Sequence, residues 1–197
     1  MKQMLFAPLL ALALGGAAFA QSMPGMDHST MNMSGLSTTM PGTMGMAELG
    51  KLSGKAFERA FLSMMIPHHQ AAIDMANAVL PVSKDATVRK WANAIIAAQQ
   101  REIGQMNALL RGYGGSDAQM AGLMAGGMKG MGQKVRASAT PERTFVQDMV
   151  GHHASALEMA NLTLQKSSSP AVLRLARDIA TAQAVEMHDF QIWLMKR

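Results

Sequence analysis

Two pairs of adjacent histidines, His68–His69 and His152–His153, stand in matching surroundings. Each pair has a methionine three residues before its first histidine, Met65 or Met149, and another seven residues after it, Met75 or Met159. Imidazole and thioether are both metal donors. Thioethers are soft and have little use for zinc, calcium or magnesium, whereas Cu(I) accepts methionine and histidine and Cu(II) accepts histidine and carboxylate. The donor set points to copper in both oxidation states, with silver binding the same soft groups.

A carboxylate accompanies each pair. At about 100° per residue, Glu102 shares a helical stripe with Val88, Ile95, Ala98, Gln99, Met106 and Leu109. A buried carboxylate needs a cation, a metal or a proton, because burying an isolated charge is costly. Glu186 takes the same place further on, with Gln183 as the counterpart of Gln99 and His188 as a further donor nearby. Gln99, Gln183, Asp74 and Glu158 are expected to support the ligands from outside rather than bind metal themselves. Near the N-terminus, Met26, His28, Met31 and Met33 form a looser set that could capture ions.

These positions recur because the chain repeats. Residues 57–110 align with residues 141–194 at an offset of 84 without a gap, and 19 of the 54 pairs are identical, which chance does not explain. "HHQAAIDMAN" falls on "HHASALEMAN", and "AQQREI" on "AQAVEM". Each repeat reads as two helices. Ser53 and Thr140-Pro141 open the first of each pair, Asp85 and Ser169-Pro170 the second, and "RGYGG" ends the helix before it. Two such hairpins predict an all-α, four-helix bundle over residues 51–197. Residues 111–140 read as a crossover whose methionines, Met120 to Met131, are separated by glycines, so any helix there should fray. Pro67 and Gly151 precede the two histidine pairs and predict a bend or loosening of the backbone at each.

Compartment follows from the first residues. Lys2, an apolar run and "AFA" match a secretory signal peptide over residues 1–20, cut after Ala20, leaving no stable membrane anchor. A periplasmic or secreted protein is expected, and with no cysteine it must fold without disulfides. Residues 21–50 are rich in Met, Gly, Ser, Thr and Pro and predict a disordered arm. A net charge of +5, no basic run and 5% aromatic residues exclude a nucleic-acid surface.

At "MIPHHQAAIDMA", followed by "ATVRKWANAIIAAQQREIGQM", the chain resembles a bacterial family known as domain of unknown function 305. That family is a ferritin-like four-helix group that includes periplasmic copper-binding proteins. The resemblance covers most of residues 53–194 and occurs twice. It implies copper binding and resistance, with His68, His69, Met75, His152, His153 and Met159 as ligands and Glu102 and Glu186 in support. The segment around "MPGMDHSTMNM" looks like the Met/His segments of exported copper-handling proteins. The expected function is a non-enzymatic protein that buffers copper or delivers it to another copper-handling protein. A ferritin-like di-metal or copper oxidase is the alternative, and a bundle that binds a protein partner without metal is a third reading. Low carboxylate content beside many methionines weighs against the oxidase.

Overall fold

The computed structural model describes residues 43–197. Seven helices follow in order: α1 Thr43–Lys51, α2 Gly54–Val79, α3 Ala86–Arg111, α4 Ala118–Met128, α5 Met131–Ala137, α6 Pro141–Lys166 and α7 Pro170–Met195. The described residues contain no strand. The four long helices are 26 residues each and begin where the sequence places their caps. Asp85 accepts from the amides of Thr87 and Val88, and Ser169 from that of Val172. Each such cap stabilises a helix start by about 1 kcal/mol.

Hairpin α2–α3 packs against hairpin α6–α7, and most of the contact between them is α2 on α6. One half of the core joins Phe57, Phe61 and Met65 of α2 to Ala156, Met159 and Ala160 of α6. The other joins Ala72, Met75 and Ala76 of α2 to Phe145 and Met149 of α6. The two helices are therefore antiparallel, and each half-core repeats the other at an offset of 84. His68 and His152 fall at the join.

Two glutamates fix this register. Glu58 accepts from the hydroxyl of Ser167 at 2.7 Å and the amides of Ser168 and Ser169 at 3.0 and 2.9 Å. Its repeat partner Glu142 accepts from the hydroxyl of Ser83 at 2.9 Å and the amides of Lys84 and Asp85 at 2.7 and 3.0 Å. Each hairpin thus holds the turn of the other. Burial alone would raise both carboxyls, but these donors, joined at Glu58 by the hydroxyl of Tyr113 at 2.7 Å, outweigh it and hold both below the usual range.

Three expectations need correction. The arm expected over 21–50 overruns the folded part, since α1 docks on α2 and α4 and buries Leu49 completely. Its remainder, with Met26, His28, Met31 and Met33, lies outside the described residues, as does the signal peptide expected over 1–20. The crossover is not frayed. Met120, Met124 and Met128 recur every four residues on α4 and are buried in the core, so apolar burial outweighs the helix-weakening glycines. Finally, Pro67 and Gly151 do not interrupt their helices: α2 and α6 stay helical on both sides of them. The histidine pairs meet because the helices cross face to face, with the small side chains of Ala72 and Ala156 fully buried there.

Candidate metal centre

Because consecutive residues on a helix diverge by about 100°, His68 and His69 point in different directions, one toward α6 and one toward α3. The same holds for His152 and His153 between α2 and α7. The result is a row of six groups across the bundle, from Glu102 through His69, His68, His152 and His153 to Glu186. His69 Nε2 lies 2.6 Å from a Glu102 carboxylate oxygen, and His153 Nε2 lies 2.7 Å from one of Glu186. The centroids of the rings are 6.2 Å apart for His69 and His68, 3.8 Å for His68 and His152, and 5.9 Å for His152 and His153. All four imidazoles are buried, whereas the two carboxylates keep about a fifth and a quarter of their side-chain surface in solvent.

The partners at Nε2 fix where the ring protons sit. A carboxylate or peptide carbonyl only accepts, so His69 donates to Glu102, His153 to Glu186, and His152 to the carbonyl of His68 at 2.8 Å. His68 Nε2 lies 2.7 Å from the hydroxyl oxygen of Ser155, whose own proton goes to the carbonyl of His152 at 2.8 Å. Ser155 therefore accepts from His68. Every ring holds a proton on Nε2, and a neutral ring leaves Nδ1 as a bare lone pair. None of the four Nδ1 atoms has a hydrogen-bond partner, and neither do Gln99 Oε1 or the amide atoms of Gln183.

Such a concentration of buried, unpaired polar atoms is costly unless a ligand or water meets them. Burial, then the charges of His152, His69 and His153, holds His68 well below the usual imidazole range. Burial, with His153 and His69, pushes His152 down to about 3 against the opposing pull of the His68 carbonyl. Both central rings are neutral at neutral pH, as metal ligation requires. Met65, Met75, Met149 and Met159 are fully buried on the same two helices. Among the described residues no three His, Asp or Glu side chains group closely enough to hold a metal ion by themselves, so the donors these two helices offer are their imidazoles and buried thioethers. That donor set fits a soft cation content with few ligands better than a hard one.

Other expected residues lie elsewhere. His188 is exposed, with Nδ1 3.1 Å from the carboxylate of its neighbour Asp189. It sits on the outer face of α7, two residues beyond Glu186, and so points away from the row. Asp74 and Glu158 are exposed too, and Asp74 pairs with Gln70 at 2.9 Å rather than with a histidine. Ser155, whose hydroxyl touches His68 and the His152 carbonyl, is a member of the row that the sequence did not single out. The Ala71/Ser155 difference is one of four between "HHQAAIDMAN" and "HHASALEMAN" and does not stand out among them.

The fold and the row define an all-α class, four-helix bundles with a histidine-lined interior. The chain belongs to the family described as a domain of unknown function (DUF305), whose pattern matches residues 13–110, 61–140 and 142–197. A DUF305 fragment from Deinococcus radiodurans is similar with a TM-score of 0.62 and 28% identity, covering 71% of this chain and 96% of that one. CopM in its Cu(II)-bound form is similar at a TM-score of 0.59 and 28% identity, covering 71% of this chain and 97% of that one. CopM structures with Cu(I) and with silver are similar at 0.61 and 0.60, each 26% identical over 71% of this chain and covering 96% and 95% of CopM. Among curated proteins, an uncharacterized protein of Acanthamoeba polyphaga mimivirus is 40% identical over 53 residues, 27% of this chain. The match spans 35% of that relative's length.

Proposed function

We propose that this chain is an exported copper-binding protein that takes up Cu(I) and Cu(II), and silver in their place, to buffer copper or pass it on. The observation that carries the reading is the set of four buried Nδ1 atoms without partners, on imidazoles whose Nε2 protons are all held by acceptors. Outer acceptors of this kind orient a ligating histidine and raise its basicity. The likeness to CopM in copper-bound and silver-bound forms supports the choice of metal. Export rests on the leader pattern of residues 1–20, and capture by Met26, His28, Met31 and Met33 on their donor types.

Binding without turnover is part of the proposal. Di-metal oxidases of bundle type draw carboxylates from all four helices, whereas here Glu102 and Glu186 each serve one imidazole. Anaerobic Cu(I) titration against a competing chelator, and aerobic Cu(II) titration, are expected to show more than one equivalent bound. Replacing His68, His69, His152 and His153 with glutamine should remove the tight equivalents and leave only weak uptake by the arm. Unchanged tight binding in a folded quadruple variant would sink the assignment.

A further inference from the structure

The duplication is broken at one contact in the centre of the row. His69 and His153 donate to glutamates 33 residues further along. The central pair behaves differently. His152 Nε2 reaches the His68 carbonyl directly at 2.8 Å, but His68 Nε2 reaches Ser155 Oγ at 2.7 Å, and that hydroxyl reaches the His152 carbonyl at 2.8 Å. The position equivalent to Ser155 in the first repeat is Ala71, which has no hydroxyl. Each central ring is therefore tied to the backbone of the other histidine, one directly and one through Ser155.

We propose that Ser155 is a positioning residue for metal uptake, closing this reciprocal lock and keeping the His68 Nδ1 lone pair free for a soft cation. The proposal rests on the copper reading given above. A serine hydroxyl has one proton to donate, and here it is spent on a peptide carbonyl, so the oxygen faces His68 as an acceptor. That contact selects the Nε2–H form of the ring. Without it, the buried Nε2–H of His68 has no acceptor, and nothing disfavours a proton on Nδ1, the nitrogen a metal must use. His152 has no such weakness, because no side-chain substitution removes its acceptor, a peptide oxygen. The two halves of the row are thus unequal, and the half containing His68 is the one a single hydroxyl controls.

The test uses the full chain with Ser155→Ala and Ser155→Thr, each checked for wild-type helicity by circular dichroism. Long-range proton–nitrogen spectra of the metal-free protein at neutral pH should show Nε2–H for His68. Ser155→Ala should move His68 alone toward Nδ1–H or a mixture, and Ser155→Thr, which keeps the hydroxyl, should restore it. In competition titrations with Ag(I) and Cu(I), Ser155→Ala should weaken one class of site about tenfold or more and leave the other unchanged. An unaltered His68 tautomer together with unaltered affinities in Ser155→Ala overturns the proposal even though copper binds. Altered tautomers with no metal bound by any variant, wild type included, overturn the copper reading and the uptake role built on it.

Discussion

His152 and His68 sit in surroundings that penalise their charged forms, and this has a measurable cost. Burial first, then neighbouring imidazoles, lowers both, His152 to about 3, against about 6.5 in an unfolded chain. The unfolded state therefore takes up protons that the folded state refuses. Stability is complete above about pH 6.5 and falls as pH drops below it, by roughly 1 kcal/mol per pH unit from His152 down to about pH 3, with His68 acting in the same direction. Glu58, Glu142 and Asp85 are held below their usual ranges, so their losses begin only at lower pH, and the interval from pH 6.5 to 5 isolates the imidazoles. Urea midpoints of the metal-free protein should be lower at pH 5 than at pH 7.5, and His152→Gln should flatten the dependence. Equal midpoints at the two pH values would contradict the description of these rings. At this scale much of the row was readable, because the histidine pairs are duplicated and Glu102 and Glu186 stand in apolar stripes. Ser155 was not, since a serine facing an alanine in a helical repeat carries no signal until its partner across the bundle is known. His188 misled for a simple reason: nearness in sequence to Glu186 is not nearness on a helix, where a step of two residues turns the side chain to the far side.

At the scale of elements, two glycines behave in opposite ways. Gly151 is exposed within α6, and a Cβ added there meets nothing within 4 Å. Gly132, in α5, is buried against α2, where a Cβ would lie 2.9 Å from the carbonyl oxygen of Asp74 and 3.1 Å from its carbon. Gly151→Ala should therefore stabilise the protein by about 1 kcal/mol, whereas Gly132→Ala should destabilise it by about 1–3 kcal/mol because backbone must move. Thermal midpoints should shift up for the first and down for the second. A downward shift for Gly151→Ala would mean that this glycine is needed for its backbone, as the sequence first suggested. The long helices were legible to within a residue because Ser53, Asp85, Thr140 and Ser169 mark their starts. The crossover was not. Its glycines pointed to fraying, but the buried stripe of Met120, Met124 and Met128 pays for an ordered helix through tertiary packing that local propensity does not register.

The four long helices are one hairpin used twice, packed so that each copy completes the other. Half-cores related by the repeat lie on each side of the histidine join, and Glu58 and Glu142 each clasp the opposite turn. The gapless offset of 84 made this architecture legible, since two equal hairpins with apolar inner faces have few other ways to bury them. What the repeat could not reveal was that the two pairs form a single row, because that depends on how α2 and α6 cross. In the proposed function this row receives a soft cation through Nδ1 while Nε2 stays protonated. Nitrogen spectra of the imidazoles during Ag(I) titration test it most directly, silver being diamagnetic and stable in air. Nδ1 resonances among His68, His69, His152 and His153 should shift as silver binds while the Nε2–H signals persist. Stoichiometric silver binding with all four Nδ1 resonances unmoved would contradict it.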